Sequence, residues 1–274
     1  MTVPPHPTPL RRGRLVALFV PATRPERFAK AAAAGADAVI IDLEDAVAQA
    51  EKDAARSAVA TAALPTGVPL LLRINGVETP WHTDDIDLAR RLPLAGVMLA
   101  KAEHAADVAR VAAQLGETSL VPLIESALGL GQARAIAALP QVARLAFGSI
   151  DFAADLGCAH TRQALLAARA ELVLAARLAG REGPMDGVTT ALTDPALAQD
   201  DAAHAVELGF AGKLVIHPGQ IAPVMAGFAP SPEEIAWARQ IVGALTAGGA
   251  VVSVNGTMVD APVRLRAERI LARA

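Results

Sequence analysis

Eight short apolar runs alternate with eight Ala-rich stretches of helix length, and that alternation constrains the fold of this 274-residue chain most. The runs occupy residues 15–20, 38–41, 70–74, 96–99, 120–124, 143–147, 185–188 and 214–216. The stretches between and after them cover 25–34, 51–63, 83–91, 104–115, 128–138, 161–180, 195–208 and 232–247. The runs are continuously Val-, Ile- and Leu-rich, which suits parallel strands covered on both faces. Eight such units in about 230 residues predict an α/β fold, a (β/α)8 TIM barrel, over an open doubly wound sheet with fewer strands. The seventh run, MDGV, is the weakest of the eight, being short and surrounded by Gly183, Pro184 and Gly187.

No composition shift marks a second domain. The expected organisation is an N-terminal arm at 1–14, a barrel at 15–248 and an extension at 249–274, the last packing on a neighbouring subunit. The arm is irregular, with four prolines in its first nine residues. The extension reads as two strands and a turn, then a helix starting near Pro262 with Asp260 at its approach.

Hydrophobic residues make up 53% of the chain and aromatics 3%, so the core must be built largely of Ala, Leu and Val. That apolar content excludes disorder over most of the chain. Each long apolar stretch is broken by a charge, Pro or Gly before reaching the roughly 20 residues a spanning helix needs. The N-terminus has no apolar segment of signal-peptide type. Single Cys158, in a helix-like stretch, permits no internal disulfide and reads as a small buried residue. A soluble cytoplasmic protein is expected. The 25 Lys and Arg against 28 Asp and Glu give −3 without a basic run, which excludes nucleic acid as a partner.

In such a barrel the chemistry sits at the C-terminal ends of the strands. The residues following the eight runs include Arg24; Asp42, Glu44 and Asp45; Arg73 and Asn75; Lys101; Glu125; Asp151; Asp186; and His217. Glu125 and Asp151 follow neighbouring strands, about 5 Å apart in a sheet, and together could share a divalent cation. Oxygen-only ligation with waters retained suits Mg2+. Taken singly, each reads as a helix cap or helix start. Arg73 can hold a substrate carboxylate through its fork or pair with Asp42, Glu44 or Asp45, and the two roles are compatible. His217, before Pro218, reads as structural more than catalytic. Lys101 could form a Schiff base, but beside a metal site a cationic or structural role suits it better. The segment GLGQARA lacks the register of a dinucleotide fingerprint and is set aside.

Several longer segments then carry a resemblance. LFVPATRPERFAKAAAAGADAVIIDLEDAV, LLLRINGVETPW, VPLIESALGLGQA, AFGSIDFAADLG, GFAGKLVIHPGQIAPV, FAPSPEEIAWARQIV and NGTMVDAP occur in this order. Together they resemble the citrate lyase beta-subunit-like branch of the HpcH/HpaI aldolase family, which includes citramalyl-CoA and malyl-CoA lyases. The resemblance runs from about Leu15 to Leu271. It implies a Mg2+-dependent carbon–carbon lyase acting on a hydroxyacyl-CoA thioester, assembled as a homotrimer or hexamer. The alternatives are a citrate lyase beta subunit, working on a citryl thioester with acyl-carrier and alpha-subunit partners, and a metal-dependent aldolase on free 2-oxo acids. By motif, Glu125 and Asp151 match the metal ligands and Arg73 the carboxylate-binding arginine. Glu44 and Asp45 match the acidic pair near the metal, beside Asp42. Asp260 matches an aspartate that enters the neighbouring subunit's active site, where it would act as proton donor. Departures lie at PATRP, at Ala100 and at Ile150, and bear on substrate identity rather than on the ligands.

Overall fold

The computed structural model describes residues 10, 13–248, 252–254 and 257–274. The arm predicted at the N-terminus therefore lies mostly outside the described residues, as does the turn between the two extension strands. Eight strands close into a parallel barrel: β1 (Leu15–Pro21), β2 (Ala38–Asp42), β3 (Leu70–Ile74), β4 (Gly96–Leu99), β5 (Ser119–Ile124), β6 (Ala146–Phe147), β7 (Met185–Asp186) and β8 (Gly212–Val215). Each pairs with the next and β8 returns to β1, as the (β/α)8 reading requires. The helices are α1 (Phe28–Ala32), α2 (Lys52–Thr61), α3 (His82–Ala89), α4 (Ala105–Leu115), α5 (Ala127–Ala138), α6 (Ser149–Leu156), α7 (Leu166–Leu178), α8 (Pro195–Leu208), α9 (Ile221–Phe228), α10 (Pro232–Gly248) and α11 (Ala261–Leu271).

Strand residues two apart share a face, which explains why the runs are apolar throughout. Leu15 and Ala17, Ala38 and Ile40, and Val121 and Leu123 join Leu71, Met98, Ala146, Met185 and Leu214 in one core cluster. The intervening Val16, Val39 and Ile41 are fully buried as well. Burial of each large side chain stabilises by roughly 1.5–3 kcal/mol. Ala17, Ala38 and Ala146 pack there with Leu15, Ile40, Leu71 and Met98, so the interior is a packed core rather than a pore.

The two shortest strands depart from the sequence reading. β6 keeps only the last two residues of the 143–147 run. That run contains Arg144, whose buried guanidinium donates to the Gly13 carbonyl at 3.1 Å. β7 ends at Asp186, because the Gly187 backbone turns against Ser149, where a Cβ would clash. Two helices, α6 and α9, lie outside the helix-length stretches of the sequence; α6 begins just before Asp151, in line with its helix-start reading, and α9 follows β8 after a short turn carrying His217 and Gln220. Cys158 lies just past α6 and is only partly buried, so neither its helix placement nor its full burial holds.

The chain divides into compact units at Val224 and Met225. Helix α10, counted within the barrel by sequence, belongs to the second unit. Its Ala238, Ile241 and Leu245 form a core with Val259, Ala267 and Ile270. Within the extension, β9 (Val252–Val254) and β10 (Thr257–Val259) pair antiparallel and α11 follows, the two strands and helix read from the sequence. Among the described residues no helix is long and apolar enough to cross a membrane.

Candidate active site

Parallel register places Asp42, the last residue of β2, beside Arg73 of β3. Arg73 Nε and Nη2 donate to the two Asp42 oxygens at 2.7 and 2.6 Å, a bidentate fork in a buried setting. Asp42 also accepts from the Glu44 amide at 2.9 Å and the Ala46 amide at 3.2 Å, so it shapes the turn that follows it. Arg73 Nη1 lies 3.0 Å from Glu44 and 3.6 Å from Asp45, and its guanidinium stacks 4.8 Å over the Phe19 ring. Burial works against the Arg73 charge, but Asp42, then Glu44 and Asp45, outweigh it and raise the pKa. The ion-pair reading of Arg73 is thus what the geometry displays, and its remaining N–H groups are those left for a ligand.

Glu44 bridges two cations, Arg73 and Lys101, the latter at 2.9 Å. Burial favours its neutral form, yet Arg73, the Asp45 side chain and Lys101 together hold its pKa below the usual range. Asp45 goes the other way. Burial, and then the adjacent Glu44 carboxylate, push it up to about 6. Glu44 and Asp45, adjacent in the chain, are thus pushed in opposite directions by their surroundings.

Lys101 follows β4 with φ of +49°, the only positive φ at a non-glycine among the described residues. Such a conformation costs on the order of 1–3 kcal/mol and is retained where surroundings demand it. Here it aims the Lys101 amide at Glu125 Oε1, 2.7 Å away. Glu125 follows β5 and is 4% exposed. Burial is the main reason its pKa rises to about 8; Glu44 and Asp151 add to the rise, while the Lys101 amide and Arg73 oppose it. Glu125 is not the cap of the next helix: Ser126 fills that role, its Oγ accepting from the Gly129 amide at 3.1 Å.

Gly148 makes room for this carboxylate. A Cβ there would fall 2.5 Å from both Cβ and Oε2 of Glu125. Gly148→Ala is expected to destabilise the protein by about 1–3 kcal/mol, as overpacking does. Denaturant unfolding checks this, and unchanged stability would contradict the packing.

Asp151 lies in the first turn of α6 rather than at a strand end. It nevertheless lines the same cavity as Asp42, Asp45, Arg73 and Glu125. That cavity measures about 390 Å3 and has an apolar side of Phe19, Leu123, Phe147, Val188 and Leu214. Among the described residues no three His, Cys, Asp or Glu side chains converge as a ready metal cage. Glu125 and Asp151 could hold a hard cation as a two-carboxylate set completed by waters or substrate oxygens.

The other strand-end candidates fall away from this set. Asp186 pairs with Arg169 at 2.8 Å and Lys213 at 3.6 Å. His217 caps a short turn, its Nδ1 accepting from the Gly219 amide at 3.1 Å, in keeping with its structural reading. Arg24 is exposed and pairs with Glu26. Asn75 is buried beneath the Leu43 carbonyl. Asp260 caps α11 in the second unit, accepting from the Val263 amide at 3.4 Å. Sequence reasoning missed Lys52, whose type is ordinarily exposed, and the pocket-lining Ser149 and Phe19; apolar and hydroxyl residues at a strand end give no signal distinct from core.

A family model for HpcH/HpaI aldolase/citrate lyase matches residues 15–218. A citrate lyase subunit beta-like protein of Mycobacterium tuberculosis is 39% identical over 264 residues, covering 94% of each chain. The citrate lyase subunit beta of Leuconostoc mesenteroides subsp. cremoris is 35% identical, covering 96% of this chain and 94% of its own. The crystal structure of M. tuberculosis CitE, in complex with magnesium, acetoacetate and coenzyme A, is similar with a TM-score of 0.87. It is 37% identical, covering 96% of this chain and 98% of that one.

Proposed function

Because the chain belongs to the HpcH/HpaI aldolase/citrate lyase family, and is therefore a lyase, we propose that it is a Mg2+-dependent carbon–carbon lyase acting on a hydroxyacyl-CoA thioester. The substrate is a compound such as citramalyl-CoA or malyl-CoA, and the products are acetyl-CoA and a 2-oxo acid. The observation that carries this reading is Glu125, a carboxylate buried at 4% exposure and pushed up to about 8, in one cavity with Asp151 and Arg73. Such a group gains most from a nearby cation.

The donor set fits Mg2+: two carboxylates, oxygen donors only, and cavity space for retained waters. Bound there, the ion would supply Lewis acidity to the hydroxyl-bearing end of the substrate. Glu125 and Asp151 would hold it, with Glu44 and Asp45 as the acidic pair beside it. Arg73 orients the substrate carboxylate and stabilises the charge that develops on oxygen as the carbon–carbon bond breaks. The hydroxyl proton would pass to the Asp45 carboxylate, which lines the cavity, as that carbon becomes a ketone or aldehyde. The bonding pair passes to the α-carbon of the thioester, which takes a proton from Asp260 of the partner subunit. That donor makes the active unit a homo-oligomer, a trimer or hexamer.

Likeness to a citrate lyase subunit beta favours a second reading, action on a citryl thioester borne by an acyl-carrier partner with an alpha subunit. Offering the purified chain malyl-, citramalyl- and citryl-CoA, with Mg2+ or with EDTA, separates the two. The chain alone is expected to release a 2-oxo acid from at least one of them only when Mg2+ is present. Cleavage of none, with activity on a carrier-bound thioester, would favour the second reading.

A further inference from the structure

One buried cation outside the cavity bears directly on the acidic turn. Lys52, the first residue of α2, is 4% exposed, and its ammonium meets three acceptors. Nζ lies 2.7 Å from the Leu43 carbonyl, 2.8 Å from the Glu44 carbonyl and 2.7 Å from Asn75 Oδ1. An ammonium has three N–H donors, so all are used. Burying it is costly unless it is paired in this way. Burial lowers its pKa, while Glu44, Asp42, Asp85 and Asp45 oppose that effect.

The acceptors are themselves braced. Asn75 Nδ2 donates to the Leu43 carbonyl at 3.1 Å and to Asp85 at 2.6 Å, and the Asn75 amide donates to Asp85 at 3.0 Å. Asp85 is fully buried in α3 and accepts from Arg56 of α2 at 3.1 Å. The Trp81 ring lies 5.2 Å from the ammonium, near enough for a cation–π contact. Two helices and the end of β3 thus converge on the backbone of one turn. That turn carries Asp42, Glu44 and Asp45, and Glu44 in turn spans Arg73 and Lys101.

We propose that Lys52 is a positioning residue of the active site: its saturated, buried ammonium fixes the 42–45 turn through the main-chain oxygens of Leu43 and Glu44, and so holds Glu44 between Arg73 and Lys101. It touches neither substrate nor cation. Its effect reaches the Lys101 amide, and through it Glu125. The inference rests on the proposed lyase reading for its kinetic consequence alone.

Hydrogen exchange and turnover of Lys52→Met, in the full chain, test it. Methionine keeps the apolar stem and removes every donor. Amide exchange over 42–48 is expected to rise about tenfold or more, with β5 and α5 unchanged, as local opening rather than global unfolding predicts. Turnover should fall about 10- to 100-fold, the usual loss when an orienting partner is removed, with KM moving far less than kcat. Wild-type exchange over 42–48 with kcat within about twofold would overturn the proposal. So would exchange that rises evenly through the barrel. If Lys52→Met does not fold, Lys52→Arg takes its place. A planar fork cannot serve three acceptors converging on one point, so both readouts should move in the same direction by less, and wild-type values in both would overturn the proposal. Exchange is read without substrate, so a wild-type chain lacking lyase activity would sink the functional reading and leave the positioning result separately visible.

Discussion

Glu125→Gln is expected to abolish Mg2+-dependent turnover while making the metal-free protein more stable above mildly acidic pH. Loss of a metal ligand removes several kcal/mol of Lewis-acid stabilisation, which corresponds to about 10³-fold or more in rate. The gain in stability has the opposite origin. The Glu125 pKa is raised from an ordinary 4.5 to about 8, with burial as the main cause. Between those values the folded, metal-free protein keeps a proton that the unfolded chain has lost. Its contribution to stability is therefore fully present below about pH 4.5 and lost as pH rises through about 8, at about 1.4 kcal/mol per pH unit. Gln fills nearly the same space, can accept from the Lys101 amide, and does not titrate. Denaturant unfolding in EDTA at pH 5, 7 and 9 checks this. The wild type should lose stability across the series relative to Glu125→Gln. Parallel curves would mean that this carboxylate is not the buried, cation-seeking group described.

Asp260→Asn should be nearly as damaging to turnover, without touching the cavity's own residues. General acid–base groups contribute typically about 10²- to 10⁴-fold, and that is the loss expected here. The C-terminal unit should survive, because Asp260 caps α11 and Asn caps helices about as well. Mg2+ and 2-oxo acid binding should persist as well, since Glu125, Asp151 and Arg73 are intact. A mixing experiment sharpens the result. Glu125→Gln and Asp260→Asn subunits are each inactive, yet hybrids should regain part of the wild-type rate when a sound cavity meets a sound Asp260 from another copy. Unchanged turnover in Asp260→Asn would remove its role as proton donor. Loss without recovery on mixing would place the donor within its own subunit.

Much of the barrel and its mouth was legible because two simple periodicities carried it. Buried parallel strands must be apolar on both faces, so eight runs stand out against Ala-rich helices. Polar residues directly after such runs must lie at the mouth, and Asp42, Glu44, Asp45, Arg73, Glu125 and Asp151 do come together there. What stayed hidden depends on closure of the turns. Lys52 looks like any helix-surface lysine until the 42–45 turn folds over it. Asp186 ends a strand like the others, but Arg169 and Lys213 satisfy it elsewhere. Gly148 and Gly187 carry no functional signal in the sequence, whereas Glu125 and Ser149 occupy the space their missing side chains leave. The Ala-rich α10 stretch does not say in the sequence what it packs against, and its partners prove to be β10 and α11.

The most direct test of the account is product stoichiometry with purified wild-type protein and the best of the three CoA thioesters. With Mg2+, each thioester consumed should yield one acetyl-CoA and one 2-oxo acid, and EDTA should stop both. Release of free CoA with the intact hydroxy acid, or cleavage indifferent to EDTA, would contradict a metal-dependent carbon–carbon lyase.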